Sequence, residues 1–456
     1  LKSKEHKNGV PLLSRGKRIL AGVLMVFFLG LFLSGVASIA YYFESSSMFY
    51  KFGWDKILLR WGKIFGLVGF CLVVFQVLSA SRLRFSDRIF GLDRVFAFHR
   101  MTGIGLAIAA LAHPVMVMAS EDMIFIPLQV RYWPEFTGAF LLAGLVSTAI
   151  LSTLHKAMNI PFHLWYGVHR WAGAVLTAAL FIHVLFVSES FEGGFPRAMA
   201  LGALGVCGLL LVYQKMRPLV LRKSLFEVAS VEPAGLEATR LELTPVSGRT
   251  FHYQPGQFGF FRFVSSRVSG EEHPFTLAST PTRPEALELV VGQNGDWTRG
   301  ISRMEPGARC RIDGPYGLFS HLRCPENVEL VMIAGGIGIT PMLSMIRYMA
   351  DTRDLRKVTL IWSHRTREHA FSREELEHLE LQWKNLRVVH WFTRDSGPGG
   401  QGRRLDGPGL RGLLSEASPS SFVFLCGPPD MIRSLRKPLP GLGFSAHRIF
   451  TERFSI

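Results

Sequence analysis

The chain is predicted to be a multi-domain membrane protein: a six-helix transmembrane bundle, a small antiparallel β-barrel, and an α/β domain. Three observations carry this reading. Long apolar runs crowd the part before about residue 215, short alternating runs with Gly/Pro turns follow from Leu225, and strand–helix alternation takes over after about residue 326. The expected divisions are a basic segment at 1–18, the bundle at 19–220, the barrel at 221–325 and the α/β domain at 326–456.

A span needs roughly 20 apolar residues. The runs 19–42, 57–79, 95–118, 136–154, 165–187 and 197–215 meet that length. The first is too long for the apolar region of a secretory signal and is followed by Tyr41, Tyr42 and Phe43, so it reads as a retained helix. Lysine and arginine gather before the first span (Lys2, Lys4, Lys7, Arg15, Lys17, Arg18), after the second (Arg82, Arg84, Arg88, Arg94) and after the sixth (Lys215, Arg217, Arg222, Lys223). The alternate loops carry Glu44, Glu121, Asp122, Glu135, Glu189 and Glu192. By the positive-inside bias, both termini and everything after the sixth span are expected in the cytoplasm of a plasma or bacterial inner membrane. This accounts for the net charge of +16 without a nucleic-acid partner and makes lipid the large one.

Two histidine pairs stand inside these spans, His99 with His113 and His169 with His183, each fourteen residues apart. Fourteen helical residues rise about 21 Å and return to within about 40° of one face. Two such helices side by side present one imidazole pair near each membrane face, the ligand set for two stacked haems. Pairing like depths gives His99/His169 as inner ligands and His113/His183 as outer ones. Two nitrogen ligands per iron leave no open axial position, which suits electron transfer. Arg100 and Arg170 follow the inner ligands and fit either haem propionates or cytoplasmic snorkelling. Arg60 and Lys63, at the outer end of the second span, fit outer propionates, an anionic product or interfacial anchoring. His155 and His163 bracket an inner loop and read as interfacial. The five cysteines, Cys71, Cys207, Cys310, Cys324 and Cys426, form no CxxC pair, which argues against an iron–sulfur cluster or structural zinc.

In the barrel, strands are expected at Phe226–Val231, Ala238–Leu243, Gln257–Phe263 and Leu287–Val291. Within it stands HPFTLAS at 273–279, whose backbone and hydroxyl groups suit a flavin ring and ribityl chain. GDWT at 295–298 and DGPYG at 313–317 follow, the latter expected as a turn open to a pyrophosphate. In the α/β domain, strand Val328–Ala334 runs into GGIGITP at 335–341 and a helix beginning near Met342, the geometry for a dinucleotide phosphate at a helix N-terminus. Strand Phe422–Leu425 ends in CGPP at 426–429, suited to lining a nicotinamide pocket. Strand Val358–Trp362 ends in SHRTR at 363–367. A basic residue beyond that strand favours a 2′-phosphate, hence NADPH over NADH; a solvated role for Arg365 and Arg367 stays open.

In this order the motifs resemble the NADPH oxidase and ferric reductase superfamily across nearly the whole chain. The resemblance implies a ferric-reductase-type membrane domain with two haem b groups, fused to a ferredoxin–NADP reductase-type dehydrogenase. It makes His99, His113, His169 and His183 the haem ligands. For FAD it implies His273, Pro274, Phe275, Thr276 and Ser279, with Trp297, Thr298, Gly314, Tyr316, Gly317 and the late aromatic Phe454, after which two residues follow. For the nicotinamide nucleotide it implies Gly335, Gly336, Gly338, Thr340, Pro341, Cys426 and Gly427, to which the strand ends add Ser363, Arg365 and Pro428. GDWT leans toward the oxidase branch. The expected reaction carries electrons from NAD(P)H through FAD and the haems to an outer acceptor, first O2 giving superoxide, otherwise a ferric chelate or a periplasmic redox protein. With no EF-hand or long insertion in view, constitutive activity without a regulatory subunit is expected; the sequence leaves oligomeric state open.

Overall fold

The computed structural model describes residues 15–43, 46–187, 189–220, 225–246, 248, 250–395 and 401–453. The chain separates into two compact units, Gly16–Pro218 and the part from Leu219 onward.

The first unit is built of six long helices: Arg15–Tyr42, Gly53–Ala80, Leu92–Ser120, Trp133–Leu154, Phe162–Val187 and Gly194–Val220. All six are long and apolar enough to cross a membrane. Each outruns its apolar stretch at one or both ends, because polar and aromatic residues at the boundary extend the backbone ladder into the interface. A 28-residue helix is about 42 Å long, close to the roughly 40–45 Å of a bilayer with its headgroups. Phe70, Leu106, Leu141, Leu176, Leu180 and Phe181 meet in the bundle core, with Phe70 edge-on to Phe181 at 5.6 Å. Glycines let backbones approach there: a Cβ on Gly62 would lie 2.8 Å from the Val117 side chain, and one on Gly144 2.4 Å from that of Leu176.

The second unit holds two sheets. The first has strands β1 (Leu225–Pro233), β2 (Ala238–Pro245), β3 (Phe258–Val264), β4 (Glu272–Thr276), β5 (Leu287–Gly292) and β6 (Arg309–Tyr316), all antiparallel in the order β4-β3-β6-β1-β2-β5. Just past β4, the Ala278 N–H donates to the Glu288 carbonyl in β5, curling the sheet toward closure. Phe226, Val228, Leu241, Leu243, Phe261 and Phe263 fill its inner face. Two motif segments are themselves strands. HPFT lies in β4, an edge strand where Pro274 costs no ladder bond on its free side. Asp313–Tyr316 closes β6 and is not the turn expected from its Gly-Pro; the turn begins only at Gly317, with φ +101°. The strand persists because the β3 register shifts between Phe258 and Phe260, opposite Gly314 and Pro315, so the missing Pro315 N–H falls at a bulge.

The second sheet is parallel, with β7 (Leu330–Gly335), β8 (Val358–His364), β9 (Leu386–Phe392), β10 (Phe422–Gly427) and β11 (Ile449–Arg453) in the order β11-β10-β7-β8-β9. Leu330, Met332 and Ala334 face one core while Val331 and Ile333 face another. Both faces are therefore covered, as a parallel sheet requires. The helix after β7 spans Thr340–Asp351 with Pro341 in its first turn.

That helix also clasps the two sheets together. Ser344 Oγ donates to the Ser279 carbonyl (2.7 Å), Arg347 donates to the Ala278 carbonyl (2.8 Å), and Thr280 Oγ1 donates to Asp351 (2.7 Å). Arg347 further bridges Glu288 of β5 (3.0 Å) and Glu375 (2.5 and 2.7 Å). Replacing one partner of such a buried network strands the others. Arg347→Met should lower the unfolding free energy of this unit by about 2–4 kcal/mol. Thermal melts of the full chain at equal FAD loading check this.

Candidate functional site: two imidazole pairs and a dinucleotide crevice

The third and fifth spans bring the four histidines together in two pairs. His99 and His169 have ring centroids 6.1 Å apart at 72°, and His113 and His183 are 6.2 Å apart at 80°. Every Nδ1 is engaged: His113 with the Gly62 carbonyl (2.8 Å), His183 with the Pro134 carbonyl (3.0 Å), His99 with Ser79 Oγ (3.0 Å) and His169 with Ser152 Oγ (3.2 Å). Ser79 gives its own proton to the Phe75 carbonyl, so its oxygen accepts from His99. Both carbonyls likewise require a proton on Nδ1, which leaves the Nε2 lone pair for a metal.

The pairs fit haem iron. A metal–imidazole bond is about 2.0–2.1 Å and the nitrogen lies about 1.2 Å from its ring centre, so two imidazoles on one iron would have centroids about 6.5 Å apart, within about 0.4 Å of both pairs. No group of three or more His, Cys, Asp or Glu converges among the described residues. A bare ion would therefore lack ligands, whereas a macrocycle supplies four of its own.

Glycines shape this site in a way the sequence reading missed. A Cβ on Gly66 would lie 2.9 Å from His113 Nδ1, and one on Gly138 would lie 2.5 Å from His183 Cε1. Ser79, Ser152, Gly62 and Pro134 were missed too; their only signal is small residues spaced along helices facing the histidines. Of the flanking cations, Arg100 is exposed, Arg170 reaches the Gln214 carbonyl at 3.4 Å, and Arg60 lies 5.8 Å over the Tyr41 ring, while Lys63 is half-buried. His155 stacks on Trp165 at 4.5 Å, and His163 is exposed.

In the second unit, β4 turns His273 and Phe275 to the same side, where Trp297 meets them at 3.8 and 5.9 Å. His273 Nε2 contacts Glu271 at 3.1 Å, and burial holds its pKa below the ordinary value despite that carboxylate. Pro274 and Thr276 alternate to the other side. Three of the hydroxyls expected near a flavin, those of Ser279, Tyr316 and Thr298, have partners in the protein. Ser279 bonds Tyr253 (2.8 Å) and the Glu288 N–H (3.0 Å), Tyr316 donates to Asp313 (2.9 Å), and Thr298 caps the short helix Asp296–Ile301 through Gly295. Gly314 and Gly317 serve close approach, since Cβ atoms there would come 3.1 Å from Gly259 Cα and 3.0 Å from the Phe258 ring. Phe454 lies outside the described residues.

The parallel sheet reverses its strand order between β7 and β10, and such reversals open a crevice at the carboxyl ends of the strands. Both glycine motifs stand there. A Cβ on Gly338 would lie 2.4 Å from the Cys426 carbonyl, and one on Gly427 3.2 Å from Gly335 Cα; Gly336 has φ +54°. Thr340 Oγ1 donates to Ile337, and Pro428 leads into the helix Pro429–Arg436. Cys426 is fully buried and its pKa is raised by burial, so it is held as a thiol. Ser363 pairs with Gly335, placing the end of β8 beside the glycine turn. Arg365, at the end of β8, is paired with an acid: its Nη1 meets both oxygens of Glu237 at 2.8 Å. Arg367 meets Asp395 at 3.3 Å. Another residue missed in the sequence is Glu452, opposite Cys426 in β11 and 3.8 Å from a Cβ placed on Gly317.

Three family models match these regions in order: a ferric reductase like transmembrane component over residues 65–181, an FAD-binding domain over 226–320, and an oxidoreductase NAD-binding domain over 332–437. Curated relatives include the reductase component of propane 2-monooxygenase from Rhodococcus jostii, 25% identical over 50% of this chain and 62% of that protein. The gamma subunit of sulfhydrogenase 1 from Pyrococcus furiosus is 29% identical over 45% of this chain and 70% of its own. A flavohemoprotein from Bordetella pertussis is 28% identical over 50% of this chain and 60% of its own. Each similarity thus takes in about half of this chain and under three quarters of the relative.

The tight seat of Gly338 gives a direct test. Gly338→Ala should push the two glycine turns apart and slow flavin reduction by NAD(P)H at least ten-fold while FAD content stays unchanged, as stopped-flow absorbance will register.

Proposed function

We propose, from the premise that the chain has the domain architecture of the NADPH oxidase and ferric reductase superfamily, that it is a transmembrane NAD(P)H oxidoreductase delivering single electrons to O2 outside the cytoplasm. Transmembrane NAD(P)H-to-FAD electron transfer of the ferric-reductase type follows from that architecture. The two haems, the inward-facing termini and superoxide as product are our reading.

What supports the haem assignment is that both imidazole separations lie within about 0.4 Å of what two imidazoles on one iron would need, together with four anchored Nδ1 atoms. When bound, FAD and the haems supply the redox chemistry, a hydride accepted at one end and single electrons released at the other. The chain's own residues do the positioning. The Gly62 and Pro134 carbonyls and the Ser79 and Ser152 hydroxyls fix which nitrogen faces the metal. The turns at Gly335–Gly338 and Cys426–Pro428 bring backbone up to the dinucleotide, and the buried Cys426 thiol stays protonated, keeping a charge out of the crevice. Overall, one NADPH and two O2 give NADP+, one proton and two superoxide ions.

Turnover of purified, FAD-loaded protein with NADPH should reduce cytochrome c in a manner sensitive to superoxide dismutase. If NADPH loss under air appears only after ferric citrate is added, the protein is a ferric-chelate reductase and the oxidase reading is overturned. For the ligands, His113→Ala or His183→Ala should each cut haem content from two per chain to one while NADPH still reduces the flavin. Two haems retained in both variants would remove these residues from the iron.

A further inference from the structure

Glu237 closes the tight turn between β1 and β2, far in sequence from the end of β8 and yet in contact with it. Gly235, with φ +66°, lets the turn press against the chain after β8, where a Cβ would lie 2.8 Å from the Glu368 carbonyl. The Leu236 N–H donates to that same carbonyl at 3.2 Å, and the Glu237 carbonyl accepts from the Gln293 N–H at 2.8 Å. The turn is thus fixed on both sides. Its carboxylate meets Arg365 at 2.8 Å through both oxygens, and His369 stands 3.8 Å away.

We propose that Glu237 is a specificity-determining residue for the dinucleotide, supplying from the flavin-binding sheet the acidic group that the end of β8 lacks. The proposal rests on the reading that Arg365 faces the adenosine ribose. In parallel-sheet dinucleotide sites an acid beside that ribose receives its free hydroxyls, and a base receives a 2′-phosphate. Here acid and base are paired. A 2′-phosphate must displace Glu237 and approach its like charge, whereas the ribose of NADH donates to it. Glu237 therefore draws selectivity toward NADH. Both partners are about half exposed, 52% and 53%, and exposed pairs are worth roughly five-fold at most in an equilibrium constant.

The test compares flavin reduction by NADPH and by NADH in the full FAD-loaded protein, with inhibition by 2′-AMP as a phosphate probe. Glu237→Gln keeps the turn's backbone bonds and should raise the second-order rate constant for NADPH about five-fold, tighten 2′-AMP similarly, and slow reduction by NADH. In an Arg365→Ala background the same substitution should gain less than two-fold. If Arg365→Ala selectively harms NADPH but Glu237→Gln leaves the NADPH-to-NADH ratio unchanged, Glu237 has no such role while the Arg365 reading stands. An undiminished gain in the Arg365→Ala background overturns the pairing as its cause. If Arg365→Ala affects both nucleotides equally, the placement of Arg365 fails and the proposal falls with it.

Discussion

Four imidazoles in a membrane bundle can serve a metal only if each keeps a proton on one nitrogen and a lone pair on the other. An unpartnered ring nitrogen in hydrocarbon is costly, and an imidazole free to exchange tautomers presents its lone pair only part of the time. The bundle meets this with four anchors, two backbone carbonyls and two serine hydroxyls, each facing an Nδ1. Much else follows from where those anchors must stand. Gly66 and Gly138 have no side chain because the rings occupy that space, and Gly62 both offers its carbonyl and admits Val117. A hydrogen bond to a ligand's far nitrogen also raises its basicity toward the metal.

The second unit relies on a different kind of constraint. Its two sheets are joined by one helix whose N-terminus starts at the glycine turn and whose side chains hold the segment after HPFT. The glycine turn and the segment after HPFT are thus tied to one helix by buried contacts. The Arg365–Glu237 pair joins the same two sheets on the surface and is weak enough for a ligand to open. Burial separates the two cases: the Arg347 side chain is 14% exposed, and removing it leaves charges without solvent.

Much of this was legible in the sequence, and the rest was hidden for identifiable reasons. Spans are specified by long apolar runs, and the histidine pairs by a spacing that helix geometry converts directly into a face. The glycines at 335–338 are legible as a close backbone approach, because they stand where a strand runs into a helix. The end of strand β6, Asp313–Tyr316, is hidden because Gly-Pro signals a turn locally, while the β3 partner against which Gly314 and Pro315 bulge lies more than fifty residues away. The acid that pairs with Arg365 is not legible because it arrives from another sheet, 128 residues earlier. Ser79 and Ser152 carry no motif at all; a serine in an apolar helix usually bonds its own preceding turn, and only tertiary packing reveals the second partner.

The anchors come from the second and fourth spans and the imidazoles from the third and fifth. Each ring is thus finished only when a neighbouring helix has docked against its own, and each imidazole pair only when four helices have met. The defined lone pairs are therefore a property of the assembled bundle, and no one of the four helices holds them by itself.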